Sequence, residues 1–223
     1  MQRYSEICDM RILVIAATMA EIAPFVRDNP AMEILITGVG APATIYHLQK
    51  RIQSNNIQLV VQAGIAGAFS PDTGLTKVVL VERDTFGDIG TEEKEKFIGI
   101  FQSGFADKDS FPYTGGWLIN STAILHQAGL PLVKGVTINK VSDSLLQKQQ
   151  LIGNFLPDVE SMEGAALHYV CLQENIPFLQ IRSISNLIGE RDKKKWKLQE
   201  AVSNLNIALK NLVDMAANPS ISI

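Results

Sequence analysis

Glu21, Glu163 and Asn186 stand where an apolar run gives way to a helix or a loop, and each carries a side chain able to do chemistry there. Glu163 follows Val159-Glu160-Ser161-Met162 and precedes Gly164-Ala165-Ala166. A carboxylate that opens a helix after a buried strand can accept hydrogen bonds from a ligand. The same residues also fit a plain helix start, with Ser161 as cap and Glu163 as an acid near the positive end of the dipole. Asn186 closes the run Ile181-Arg182-Ser183-Ile184-Ser185, where it fits either a ligand contact at the cleft on a sheet's carboxyl edge or, favoured by local sequence alone, an ordinary turn asparagine at a strand end. Glu21, in Thr18-Met19-Ala20-Glu21, lies near the same edge, either as a base or as a first-turn acid. Two glycine-containing segments lead there too, Thr37-Gly38-Val39-Gly40 and Gln62-Ala63-Gly64-Ile65-Ala66-Gly67, both read as turns after strands. Glycine lets the backbone approach a ligand closely, and an ordinary tight turn is equally consistent with Gly38 and Gly40. Neither segment matches GxGxxG or a P-loop, so a dinucleotide or triphosphate site is poorly supported.

Elements able to position these groups are legible in the hydrophobic pattern. Short apolar runs read as strands at 11–17, 34–36, 59–62, 77–81, 132–138 and 178–184. Helical patterns fall at 19–27, 41–54, 121–127, 143–155, 162–174 and 194–217. This alternation predicts an α/β chain with a mixed or mainly parallel sheet covered on both faces. Residues 84–116 lack clean periodicity, and a loop of that length is a candidate lid or subunit contact.

Composition narrows the partners. With 223 residues, 46% of them hydrophobic, and no long linker, the chain reads as one domain, 1–223. A net charge of -3 leaves no cationic field for duplex nucleic acid, so a small-molecule ligand fits better. Lys193-Lys194-Lys195 reads as a solvated helix start. The apolar run near the amino terminus is too short to span a bilayer and meets Glu21, and no secretory cleavage pattern precedes it, so a cytoplasmic protein is expected. The two cysteines, Cys8 and Cys171, imply neither a disulfide framework nor a metal site. His47, His126 and His168 have no clustered partners and receive no catalytic or metal role.

Taken together, the Glu21 segment, the Gly38-Val39-Gly40 and Gly64-Ile65-Ala66-Gly67 segments, Met162-Glu163 and Arg182-Ser183-Ile184-Ser185-Asn186 resemble the purine nucleoside phosphorylase and hydrolase superfamily. The resemblance covers nearly the whole chain and is strongest to the methylthioadenosine/S-adenosylhomocysteine nucleosidase branch. Within it, residues 160–166 and 185–193 look most like the futalosine hydrolases of menaquinone biosynthesis. The resemblance implies a three-layer αβα fold around a central mixed, mainly parallel sheet. It further implies a purine nucleoside as substrate, no cofactor and no metal, and a homo-oligomer in which residues 84–116 are the segment reaching a neighbouring site.

Roles carry over residue by residue. Glu21 matches the acid that activates water, Glu163 the carboxylate that binds ribose hydroxyls, and Met162 the side chain beneath the sugar. Gly40 and Gly64 stand in the ligand-facing segments. Ile65 occupies a position where the adenine-specific branch often has serine, and Phe86 or Phe105 could wall the base. Asn186 stands where adenine-releasing nucleosidases carry aspartate. An asparagine amide can donate to a 6-oxo group or to N7, which favours hypoxanthine as the leaving base. The Gly-Asp-Pro phosphate motif of related phosphorylases is absent and Glu21 occupies that region, which favours water over phosphate as nucleophile. An adenine-releasing nucleosidase, a phosphorylase and a nucleoside-binding protein without turnover are the competing readings. Arg182 is expected in a structural ion pair, and Glu190, Arg191 and Asp192 in a charged loop or flap.

Overall fold

The computed structural model describes residues 10–94, 96–141, 144–190 and 192–218. Cys8, the expected helix start at Asp143 and the flap residue Arg191 lie outside the described residues.

Strand β1 (Ile12–Ala16) is buried throughout, and its alternation sets out two layers of helices. Ile12, Val14 and Ala16 face one side and join Ile22 and Phe25 of α1 (Met19–Asp28) and Leu205, Leu209, Leu212 and Val213 of α6 (Leu198–Ala216). Leu13 and Ile15 face the other, where they meet Leu48 and Ile52 of α2 (Ala41–Ser54) and Leu167, Val170 and Cys171 of α5 (Gly164–Gln173). Beside β1 run β2 (Glu33–Ile36) and β3 (Leu59–Ala68), both parallel to it.

The expectation of a simple three-layer sheet needs correction beyond this point. Strand β3 does not end at Gln62; it continues through Gly64 and Gly67 for ten residues. Its lower half pairs with β1, its upper end pairs with β9 (Val159–Ser161), and its other edge follows β10 (Phe178–Leu187). Strand β10 pairs in turn with β4 (Val78–Asp84), β4 with β8 (Leu132–Thr137), and β8 with β9, so five strands close into a barrel from which β1 and β2 project. Register shifts at Ile184/Asn186 and Val81/Arg83 accompany the closure, as bulges do where strands bend sharply. The sheet is mixed: β3–β10, β4–β8 and β8–β9 are parallel, whereas β4–β10 and β3–β9 are antiparallel.

Local boundaries moved for identifiable reasons. Gly64 and Gly67 look like turn residues in isolation but lie inside a strand where neighbouring side chains crowd the backbone. A Cβ at Gly64 would overlap the Arg182 guanidinium, and one at Gly67 would overlap Ile188. Residues 84–116 are not uniformly irregular, because β5 (Gly90–Glu93) and β6 (Lys96–Gly99) form an antiparallel pair. Strand β7 (Leu118–Ile119) then returns to β4, followed by the short α3 (Ile124–Gln127). Helix α4 (Leu145–Phe155) is capped by Ser144, whose hydroxyl accepts from the Gln147 N–H. The three lysines at 193–195 form a 3-10 turn ahead of α6. No helix among the described residues is long and apolar enough to cross a membrane.

Candidate active site

The carboxyl ends of β1, β3, β9 and β10 open into one cavity of about 410 Å³, which brings together Glu21, Ile65, Met162, Glu163 and Asn186. Glu21 is the third residue of α1, and its Oε2 accepts from the Thr18 N–H and hydroxyl, both at 3.0 Å. Its Oε1 accepts from the Ile65 N–H at 3.2 Å. The capping geometry and a position on the cavity wall thus coexist in one side chain, and neither sequence reading excludes the other.

The turn carrying Glu21 is held from behind. Pro24 sits inside α1 and removes a helical donor, and Asn206 of α6 enters the gap. The Asn206 amide donates to the Glu21 carbonyl at 2.8 Å and accepts from the Phe25 N–H at 2.9 Å. Sequence reasoning missed Asn206; its signal was an amide placed on the apolar face of the last helix.

Glu163 is 6% exposed, and its Oε1 accepts the Gly40 N–H at 2.9 Å. Gly40 adopts φ 93°, a left-handed backbone that suits glycine, and it caps α2. On the other side the Arg182 guanidinium, also buried, lies 3.9 Å from Glu163 Oε2. Burial raises the Glu163 carboxyl above its ordinary pKa; the Arg182 charge and the Gly40 N–H pull it down, and the Glu21 charge pushes it up again. Ser161 does serve the helix start, since its Oγ accepts the Gly164 N–H at 3.2 Å.

Beneath the cavity, Arg182 organises a buried polar chain. It donates to Gln62 Oε1 at 2.8 Å and to Gln180 Oε1 at 3.1 Å, and Gln180 donates to Asp84 Oδ2 at 3.0 Å. Asp84 also accepts from the Thr85 N–H at 2.8 Å and the Thr137 hydroxyl at 3.0 Å. Thr137 Oγ1 in turn accepts the Ala165 N–H at 2.7 Å, which returns the chain to the first turn of α5 beside Glu163. The ion pair expected of Arg182 is therefore with the sugar-site candidate Glu163. Gln62, Asp84 and Gln180 were not recognised from sequence, although polar residues inside apolar strands were the available sign.

Asp84 is fully buried, and that burial lifts its pKa to about 6, against the pull of Gln180, Thr137, Arg182 and Thr85. A folded-state pKa above the unfolded value favours the folded protein at low pH. That contribution is complete below about pH 4 and fades as pH rises through about 6. Over that window we expect the stability difference to move by about 3 kcal/mol in favour of Asp84→Asn relative to wild type. Urea unfolding of both proteins between pH 4 and 7 checks it; a pH-independent difference contradicts it.

Asn186 is positioned by two bonds. Its Oδ1 accepts from the Ser185 hydroxyl at 2.8 Å and its Nδ2 donates to the Leu187 carbonyl at 3.1 Å. This leaves one amide hydrogen and carbonyl lone-pair capacity for a ligand. Gly64 stands directly behind Glu21 and Arg182, so its lack of a side chain makes room for both.

Phe86 is not brought to this cavity. It bridges to Thr137 and its ring turns toward Tyr169, 6.5 Å away, lining a separate cavity of about 180 Å³ with Trp117 and Phe155. Phe105 is 74% exposed. Glu190 holds the loop before α6, accepting from Lys195 Nζ at 2.8 Å, while its carbonyl accepts from Trp196 Nε1 at 2.9 Å. Trp196 itself lines the cavity. His168 is buried, bonds through Nδ1 to the Leu118 carbonyl at 2.9 Å, and has its pKa lowered to about 3 by burial. Among the described residues no cluster of three His, Cys, Asp or Glu could hold a metal ion.

Electrostatically, the cavity wall carries Glu21, Glu160 and Glu163, and no lysine or arginine is among its described lining residues. Such a wall suits neutral, hydrogen-bond-rich ligands and an attacking water, and it disfavours phosphate.

The sequence and the fold have counterparts. The chain is 27% identical over 216 residues to the futalosine hydrolase of Thermus thermophilus, covering 90% of this chain and 94% of that one. The fold matches the futalosine hydrolase of Helicobacter pylori with a TM-score of 0.78 at 18% identity, covering 93% of this chain and 98% of that chain. It matches equally, at 0.78 and 18% identity over 92% and 99%, an H. pylori methylthioadenosine/S-adenosylhomocysteine nucleosidase variant with 5'-methylthioadenosine in its active site. A family model described as the phosphorylase superfamily matches residues 29–218, which span β2 through α6 and include Glu163 and Asn186. With the barrel, the paired acids and this match in agreement, the chain belongs to the phosphorylase superfamily.

Proposed function

We propose that this chain is a futalosine hydrolase, cleaving the N-glycosidic bond of futalosine to release hypoxanthine and dehypoxanthine futalosine in menaquinone biosynthesis. The observation that carries the choice of hydrolysis is the cavity wall, where Glu21 and Glu163 converge and no lysine or arginine is among the described lining residues. The choice of substrate is supported by the likeness to the Thermus thermophilus enzyme over nearly the full length of both chains.

In the proposed reaction the bond from C1' to the purine lengthens first and positive charge grows on the ribose. Glu163, fixed by the Gly40 N–H, accepts from the ribose hydroxyls and stabilises that charge. The free amide hydrogen of Asn186 donates to N7 as negative charge accumulates on the departing base. Glu21 takes a proton from the water that attacks C1'. The Met162 side chain, at the cavity wall, packs beneath the sugar. The enzyme is proposed to act in the cytoplasm as a homo-oligomer. Phe105 and Phe111, 74% and 68% exposed on the segment before β7, support a neighbouring subunit there.

A panel of futalosine, inosine, methylthioadenosine and S-adenosylhomocysteine tests the substrate assignment through the base released. Hypoxanthine from futalosine is the expected outcome, and adenine release without action on futalosine would overturn it. Asn186→Asp is expected to shift the kcat/KM ratio between futalosine and its 6-amino counterpart toward the amino compound by roughly 10–100-fold. A protonated aspartate there would donate to N7, whereas an ionised one would repel the 6-oxo group. An unchanged ratio would remove Asn186 from base selection.

A further inference from the structure

We infer that Asp84 is a positioning residue for the proposed hydrolysis, directing the hydrogen bonds that set Glu163 in place, an inference that rests on the futalosine reading above. Asp84 ends β4, is fully buried, and is not among the cavity's described lining residues. Burying a carboxylate in a core costs stability unless its oxygens are satisfied. Here the fold makes room for one. A Cβ at Gly135 of β8, or at Gly164 at the start of α5, would overlap Asp84 Oδ2.

Two chains of hydrogen bonds leave this carboxylate, and each can run in one direction only. A carboxylate only accepts and a guanidinium only donates, so the Gln180 amide between them must turn Nε2 to Asp84 and Oε1 to Arg182. Gln62 fixes Arg182 further at Nη2, which leaves Nη1 toward Glu163 Oε2, 3.9 Å away. In the second chain a hydroxyl stands between the carboxylate and a backbone N–H. Thr137 therefore donates to Asp84 and accepts from Ala165, in the helical turn that follows Glu163. Both chains end at Glu163, one at its carboxylate and the other at the backbone beside it.

The Thr85 N–H also donates to Asp84, so every group bonded to this side chain is a donor. An asparagine at this position must turn its amide hydrogens toward one of them. Facing Gln180, they reverse that amide and set donor against donor at Arg182. Facing Thr85 and Thr137, they oppose the backbone N–H and turn the hydroxyl from its present bond. Either way one chain loses its direction, while the near-identical shape of Asn and Asp preserves the packing.

The test is a double-mutant cycle on hypoxanthine release from futalosine at about pH 8, where Asp84, with its pKa of about 6, is ionised. Asp84→Asn is expected to lower kcat/KM roughly 10-fold in the wild-type background and less than about 3-fold in the Glu163→Gln background. A positioning group acts only through the residue it positions, whereas a group that merely holds the fold together costs the same factor in both backgrounds. Circular dichroism and urea unfolding report whether each variant is folded. Combining Asp84→Asn with Gln180→Glu restores both the acceptor facing Arg182 and the total charge. That exchange is expected to recover kcat/KM to within about 3-fold of wild type, and it carries the test alone if the single variant fails to fold. With wild-type futalosine turnover intact, equal losses in both backgrounds, no loss in Asp84→Asn, or no recovery in the exchange variant would overturn the Asp84 assignment alone. Absence of futalosine turnover by the wild-type protein would overturn the functional reading and this inference together.

Discussion

Glu21→Gln is expected to lower kcat for futalosine by about 10²–10⁴-fold, the range associated with loss of a positioned general base. The side chain sits at the cavity wall with both oxygens directed by donors, Thr18 on one and Ile65 on the other. Glutamine is close in shape and retains one acceptor, so part of the capping geometry survives. The lost capping bond costs about 1 kcal/mol, far too little to unfold a chain of this size. Substrate affinity is expected to change little, because the sugar is held by Glu163, so the loss falls on kcat. Steady-state kinetics with urea unfolding of the same preparation separates chemistry from stability. Full activity in a folded variant would remove Glu21 as the base.

Glu163→Gln is expected to cost about 10²–10³-fold in kcat/KM, comparable to removing a group that stabilises transition-state charge. Glutamine can still accept the Gly40 N–H, but its amide then faces the Arg182 guanidinium in place of a carboxylate. The buried cation loses its nearest countercharge, and removing one member of a buried pair is usually destabilising. Here the separation is 3.9 Å and Arg182 remains bonded to Gln62 and Gln180, so the expected loss is about 1–3 kcal/mol. Single-turnover rates measured where the variant is fully folded isolate the catalytic part. A rate within a few-fold of wild type would contradict the charge-stabilising role.

Much of this arrangement was visible in the sequence, for a physical reason. Strand β1 and helices α1, α2 and α6 carry their periodicity in continuous apolar patterns, which local sequence records directly. Glu21, Glu163 and Asn186 were legible because each breaks such a pattern at its end. Barrel closure was not legible. It depends on β3 passing through Gly64 and Gly67, and those glycines are required by Arg182 and Ile188, which arrive from elsewhere in the chain. A glycine that makes room for a distant side chain looks, locally, the same as one that makes a turn. The three-residue strand β9 is too short to declare a period, yet its pairing with β3 and β8 sets Glu160 level with Asn186.

Phe86 illustrates the opposite failure. As an aromatic in the irregular segment it could wall the base or simply join the core, and in the structure it bridges to Thr137, has its ring 6.5 Å from that of Tyr169 and lines the separate cavity. The Arg182 chain to Asp84 was hidden because each member looks like an isolated polar intrusion; only tertiary pairing shows that they satisfy one another.

Water activated at Glu21 is expected to displace hypoxanthine from futalosine in a cavity that disfavours phosphate. The most direct measurement is hypoxanthine release from futalosine by the purified protein with and without inorganic phosphate, with identification of the sugar product. Equal rates and a sugar bearing a free anomeric hydroxyl are the predicted result. Turnover that requires phosphate and yields a sugar 1-phosphate would contradict it.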